Sequence, residues 1–269
     1  MTLAPPYAEV IGDPIEHSRS PLIHRTWLRH LGIDANYRAT RIRPDELPDY
    51  LAQRRADPLW LGCNVTMPLK ETVLPLLDTV HPSAAAVGAV NTVGHEGGRL
   101  HGRTTDLHGI FRSLDGVQPL ESAVLIGSGG AARSAAFVLR RLGVQRLHIM
   151  ARDQAKAGRI AADLFPDATV GSVADPAAAD LLVNATPLGM TRQPWPDLSL
   201  DALPSHATVF DMVYAPARTE LLQRAEAAGL RIVGGASMLL HQAAEAFATF
   251  FGQGAPEETF AALARELAP

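Results

Sequence analysis

Residues 122–133 read SAVLIGSGGAAR. Ser122 to Ile126 form a short apolar run of the kind that builds a buried strand. Gly127, Gly129 and Ala132 follow at the spacing G-x-G-x-x-G/A, and a helical pattern begins behind them. A glycine pattern alone says little, but between a strand and a helix it marks a dinucleotide-binding turn. Gly127 permits the tight bend, and Gly129 leaves room for a pyrophosphate against the backbone. The helix N-terminus beyond offers free N–H groups and positive potential. The stretch therefore predicts a doubly wound parallel sheet, and the chain downstream agrees: QRLHIM, DLLVNA, ATVFDMV and LRIVGG are strand-like runs in a βα alternation. The end of the next strand declares the dinucleotide. Ala151 leaves it without the carboxylate that would take NAD's ribose hydroxyls, whereas Arg152 and Lys156 suit a 2′-phosphate. Asp153 opposes that phosphate unless it points away or pairs with Arg152. NADP is the expected cofactor.

Upstream, YAEVI, NYRATRI and LWLGCNV read as strands, with helices expected from Pro21, around Leu47–Arg55 and opening near Pro68. GAVNTVGHEGGRLHG has two β-like arms about an EGG turn and reads as a hairpin. Four prolines between Pro187 and Pro204 predict a surface loop. From about Ala236 the chain reads as two helices. Two α/β domains follow, 1–105 with 236–269 and 106–235, and the cleft between them is the default ligand site.

Composition narrows the function. The chain has 269 residues, 47% hydrophobic and 19% charged, with a formal net charge of −4, so no general attraction to nucleic acid or an anionic membrane is expected. The pairs Arg54-Arg55 and Arg140-Arg141 read as solvated helix ends. No secretory signal or membrane-length apolar run is visible. Cys63, the sole cysteine, reads as a core thiol in a reducing cytoplasm. The ten histidines show no metal-binding spacing, so no metal is expected.

Several stretches are dense in polar groups, and each has a structural alternative. In GDPIEHSRSP, Ser20 before Pro21 looks like an N-cap with proline at the first helical position. Asn64 or Thr66 in NVTMPLK would cap the helix at Pro68, and Lys70 would be a solvated helix residue. Asn91 in GAVNT would satisfy a strand edge, Asp106 in TTD would be an N-cap, and Gln242 in GGASMLLHQAAEAF would lie on a wet helical face.

Taken together, in this order and with GSGGAAR, NATPLGM and DMVYAPARTELL, these stretches resemble the shikimate dehydrogenase family from Ile11 to about Phe247. The resemblance implies an N-terminal α/β substrate domain, a Rossmann-like doubly wound NADP-binding domain, and C-terminal helices that return to the first domain. It implies that Ser18 and Ser20 clamp the substrate carboxylate, with Tyr214 lending a third hydroxyl. Thr66, Lys70, Asn91, Asp106 and Gln242 would hold the ring hydroxyls. The cofactor would meet Gly127, Ser128, Gly129, Gly130, Ala131 and Ala132, then Arg152 and Lys156, and finally Met212 and Gly235. The small-molecule partner is shikimate or 3-dehydroshikimate, and a homodimer fits the resemblance.

The implied reaction moves a hydride from the nicotinamide to a C3 carbonyl carbon and a proton to its oxygen. Lys70 is expected to be the acid/base and Asp106 its partner. Two departures from the family pattern bear on this reading. Thr104 stands where the family commonly has asparagine, and Ala151-Arg152-Asp153 replaces asparagine-arginine-threonine. The alternatives are a quinate/shikimate dehydrogenase using NAD or both cofactors, and a non-catalytic paralogue that binds nucleotide and polyol.

Overall fold

The computed structural model describes residues 4–267 apart from 175 and 177. The chain divides into two compact units, Met1–Thr105 with Gln242–Leu263, and Asp106–His241 with Ala264–Pro269.

The first unit runs β1 (Tyr7–Gly12), α1 (Ser20–His30), β2 (Asn36–Arg41), α2 (Leu47–Arg55), β3 (Trp60–Val65), β4 (Thr79–Val80), α3 (Pro82–Val87), β5 (Thr92–Glu96) and β6 (Arg99–Arg103). Its mixed sheet has the order β2-β1-β3-β5-β6-β4. β1 is parallel to both neighbours, and β3–β5 and β5–β6 are antiparallel. The expected hairpin is β5–β6, with Glu96 opposite Arg99 and both turn residues, Gly97 and Gly98, at positive φ. That geometry matches the twist of the arms and favours glycine. The β3–β5 register sets Asn64 opposite Thr92. Sequence periodicity missed β4 and α3, which are two and six residues long.

Two expectations about the helices and charged faces of this unit fail. No α-helix opens at Pro68. Residues 68–76 form turns ending in a 3-10 helix at Leu74–Leu76, because Pro75 has no N–H to continue a helical ladder. Arg54 is not on a solvated face either. Its Nε donates to Glu9 Oε1 at 2.8 Å, and Glu9 is wholly buried. Tyr50 donates to the same oxygen at 2.7 Å, while Arg38 and Thr40 donate to the other. Arg55 is likewise engaged, with Asp78 and two backbone carbonyls. A buried carboxylate needs such partners, and the sequence spacing does not reveal them.

The second unit runs α4 (Asp106–Ser113), β7 (Ser122–Ile126), α5 (Gly130–Arg141), β8 (Arg146–Met150), α6 (Gln154–Leu164), β9 (Thr169–Gly171), β10 (Leu181–Asn184), β11 (Thr208–Asp211), α7 (Glu220–Ala227), β12 (Arg231–Gly234) and α8 (Gly235–Phe251). The last helix, α9, spans Phe260–Glu266. The crossing from the second unit back to the first falls inside α8, between His241 and Gln242. All pairs in the second sheet are parallel, and its order is β12-β11-β10-β7-β8-β9. This is the doubly wound order, reversing between β7 and β10, where open α/β sheets bind their ligands.

Apolar side chains leave β7 on both faces. Leu125 joins a cluster with Ala132, Leu139 and Ile160, and Val124 and Ile126 join another with Leu221 and Leu222. The four-proline segment has no regular element, as expected. Yet Trp195, Leu198, Leu200 and Leu203 in it are buried in the second cluster, so it is as much core as surface.

Candidate active site

In the second unit, the three positions of the glycine fingerprint divide the labour. Gly127 has φ 132°, and a Cβ there would sit 3.0 Å from the Ala185 carbonyl oxygen, so the turn admits only glycine. Gly129 is exposed, and a Cβ would meet nothing within 4 Å. The space above it is where a pyrophosphate would approach. It opens on the first turn of α5, with Gly130 and Ala131, where no side chain caps the amides. Ser128 is half-buried beside it. Ala132 is buried in the helix–sheet core.

The strand-end loop answers the question raised by Asp153. Its Oδ1 accepts from the Lys156 backbone N–H at 3.0 Å, so Asp153 is the N-cap of α6. The carboxylate is committed to the helix end, where the dipole favours it. Arg152 and the Lys156 side chain are exposed. The residues present therefore fit a phosphorylated ribose better than a bare one.

Met212 and Gly235 lie together. A Cβ on Gly235 would collide with the Met212 carbonyl oxygen, so the two backbones meet there. Met212 N–H donates to the Asn184 carbonyl at 3.0 Å. Below them is a cluster that the strand reading of DLLVNA and ATVFDMV gave no reason to single out. Asp211 accepts from Asn184 Nδ2 at 2.8 Å, Val213 N–H at 3.0 Å and Thr219 Oγ1 at 2.6 Å. Burial pushes the Asp211 carboxyl up, against these donors. The cluster fixes where the chain leaves β11, and hence the start of the segment carrying half-buried Tyr214. Asp106, buried, is the first residue of α4.

The first unit holds the remaining residues. Helix α1 starts at Ser20 with Arg19 as N-cap and no capping side chain, so the expected Ser20 cap does not form. Ser18 Oγ accepts from the Ser20 N–H at 3.4 Å. The Ser20 hydroxyl, released from capping, lies beside the Tyr37 phenol and opposes the rise that burial imposes on that phenol. Thr66 is tied to the end of β1 by its N–H to the Ile11 carbonyl, 2.9 Å, and the Lys70 carbonyl accepts from Val90 N–H at 2.8 Å. The segment from Thr66 to Lys70 is thus pinned between β1 and the residue before Asn91. Asn64 caps nothing. It is buried in β3, accepting from Tyr37 at 2.6 Å and donating to Thr92 Oγ1 at 3.0 Å.

Asn91 and Gln242 meet directly, Nδ2 to Oε1 at 3.3 Å, so Gln242 is not simply on a wet face. Among the described residues the buried Thr104 hydroxyl has no hydrogen-bond partner. Among the described residues no group of His, Cys, Asp or Glu is arranged to hold a metal. Cys63 is buried, and burial pushes its thiol well up, which suits a core residue rather than a nucleophile.

Known proteins share this layout. Residues 10–93 match the shikimate dehydrogenase substrate binding domain, and residues 235–265 match the shikimate 5'-dehydrogenase C-terminal domain. The shikimate dehydrogenase (NADP(+)) of Sphingopyxis alaskensis is 46% identical over 94% of both chains. The solved shikimate 5-dehydrogenase of Thermus thermophilus, in complex with NADP(H) and shikimate, is 35% identical. It matches with a TM-score of 0.87 over 97% of this chain and 99% of its own. The quinate dehydrogenase of Corynebacterium glutamicum in complex with NAD is 30% identical, with a TM-score of 0.83 over 98% of each chain. The chain belongs to the shikimate dehydrogenase family.

Proposed function

We infer that the chain catalyses the reversible NADPH-dependent reduction of 3-dehydroshikimate to shikimate, on the path to chorismate and the aromatic amino acids. The full-length similarity to NADP-dependent shikimate dehydrogenases supports the activity. The observation that carries the cofactor assignment is Asp153 held as the α6 cap beside exposed Arg152 and Lys156.

The cofactor supplies the hydride. Ser18, Ser20 and Tyr214 are the hydroxyls we assign to the substrate carboxylate. Neutral donors hold an anion without desolvating a second full charge. Thr66, Asn91 and Gln242 hold the ring hydroxyls, and such a site rejects analogues that leave its polar groups unmatched. Lys70 delivers the proton to the developing C3 alkoxide and takes it back in the oxidising direction, while Asp106 holds the ammonium. In the second unit, residues 127–132 seat the pyrophosphate, Arg152 and Lys156 the 2′-phosphate, and Met212 and Gly235 the nicotinamide end. A cytoplasmic location accords with the single buried thiol.

A second reading, quinate oxidation with NAD, is favoured by the likeness to the quinate dehydrogenase. Serine at both 18 and 20 weighs against it, because quinate carries an extra hydroxyl near its carboxylate. Initial rates with NADP and NAD, each with shikimate and quinate, decide. A kcat/KM for shikimate with NADP at least tenfold above every other pairing is expected. NAD preference, or comparable quinate turnover, overturns the assignment.

A further inference from the structure

The polar side chains around Asn91 form a chain whose direction is fixed by two backbone groups. The Thr105 N–H lies 2.7 Å from Asn91 Oδ1, and a backbone N–H can only donate, so the amide oxygen of Asn91 faces it. Asn91 Nδ2 must then lie on the other side, facing Thr105 Oγ1 at 3.0 Å and Gln242 Oε1 at 3.3 Å. A reversed Gln242 would set one NH2 group against another. The second anchor is the Asn91 backbone carbonyl, which can only accept. It takes a hydrogen from Asn64 Nδ2 at 3.2 Å, so that amide is fixed as well and gives its other hydrogen to Thr92 Oγ1 at 3.0 Å. Thr92 in turn donates to Asn91 Oδ1 at 3.0 Å.

The proton count then reaches Thr105. Asn91 Oδ1 has both lone pairs engaged, by Thr105 N–H and the Thr92 hydroxyl. The Thr105 hydroxyl already accepts from Asn91 Nδ2. It lies 3.2 Å from Asn91 Oδ1, whose two lone pairs are taken by the shorter bonds, and 3.3 Å from Gln242 Oε1, so its proton is directed to Gln242. Both lone pairs of the Gln242 carbonyl are thus served from within this cluster, and its NH2 points away from Asn91. Thr105, Asn91 and Thr92 are all buried, so water cannot substitute for a missing partner.

We propose that Thr105 is a positioning residue that locks Gln242 as a donor-only group, so that the substrate oxygen it reads must be an acceptor. The proposal rests on the reading that Gln242 binds a ring hydroxyl. Such a hydroxyl is met through its lone pair, and its own proton must go to a different group. Gln242 so held discriminates against an analogue that lacks that oxygen.

The test compares Thr105→Val, which keeps the shape and the backbone N–H but removes the hydroxyl, with Thr105→Ser, which restores it. Gln242→Ala calibrates the subsite. Shikimate KM should rise about five- to tenfold in Thr105→Val, the scale of one neutral hydrogen bond, with kcat within about twofold and NADP KM unchanged. Thr105→Ser should return to wild-type values. With singly deoxygenated shikimates, Thr105→Val should narrow by the same factor the discrimination against the one analogue to which Gln242→Ala is blind. If Gln242→Ala raises the shikimate KM but Thr105→Val does not, the positioning role is overturned. If Thr105→Val damages NADP and shikimate kinetics together and serine does not rescue it, Thr105 is structural and the proposal also falls. If Gln242→Ala leaves shikimate KM unchanged, the ring-hydroxyl reading fails and takes the proposal with it.

Discussion

At Asp153 a carboxylate stands next to the arginine expected to bind a phosphate, and the backbone of α6 disposes of the conflict. Replacing Asp153 by alanine should cost about 1 kcal/mol of stability through the lost cap, measured by denaturant unfolding, and should leave NADP preferred. Arg152→Ala acts on binding instead. It should raise the NADP KM at least tenfold, the worth of a charge-assisted hydrogen bond, and leave the NAD KM unchanged. Equal effects on both cofactors would place Arg152 away from the 2′-phosphate. Lys70→Ala should lower kcat by about 10²–10⁴ with a smaller change in shikimate KM, and unchanged turnover would remove Lys70 from the chemistry.

Among the elements, the turn between β7 and α5 is where folding and the proposed cofactor binding are expected to separate. Gly127→Ala forces a Cβ to 3.0 Å from a backbone oxygen at φ 132°, so it should destabilise the second unit by about 1–3 kcal/mol. Gly129→Ala meets nothing, so thermal stability should hardly move while NADP affinity falls. Loss of stability in the second variant would show that the open space is not kept for a ligand. This turn was legible in the sequence because each glycine role is local. So were the hairpin, through Gly97-Gly98, and α2, which spans Leu47–Arg55 as expected. The failures were of another kind. Ser20 and Asn64 read as caps because capping is the local use of such residues. Their actual partners, Tyr37 and Thr92, are 17 and 28 positions away in the chain and come close only through the sheet. The Asn184–Asp211–Thr219 cluster was silent for the same reason, and Arg54 gave no sign of Glu9.

Over the whole molecule, two buried groups set the acid limit of stability. His24 is fully buried in the first unit, stacked on Tyr37 with ring centroids 3.9 Å apart, and among the described residues neither ring nitrogen has a hydrogen-bond partner. Burial pushes its pKa down to about 3 from 6.5. The unfolded chain therefore binds a proton that the folded chain refuses throughout that window. Stability should fall by up to about 1.4 kcal/mol per pH unit as pH drops from 6.5 towards 3. For Glu9, burial acts to raise the pKa, but hydrogen bonds from Thr40 and Tyr50 and the Arg54 charge outweigh it and hold the carboxyl below 4.5. Its contribution is present above that value and is lost as pH falls through the lower folded-state pKa. Unfolding midpoints across this range should show a shallower slope between pH 6.5 and 4.5 in His24→Phe. Glu9→Gln should cost about 3 kcal/mol at neutral pH, and its penalty should fade in acid. A wild-type slope unchanged in His24→Phe would mean that the histidine is hydrated.

The segment from Pro187 to Pro204 is held differently from the strands around it. Its backbone bonds join near neighbours such as Met190 to Pro187 and Leu203 to Leu200. Apart from Asn184 on the Leu188 carbonyl and Arg224 on Asp197 and the Leu198 carbonyl, its anchorage is the burial of Trp195, Leu198, Leu200 and Leu203. Apolar burial weakens on cooling, whereas hydrogen-bond ladders do not share that dependence. This stretch should therefore be the first part of the second unit to loosen in the cold. Amide exchange followed from 25 °C towards 0 °C should show its protection falling relative to β10 and β11.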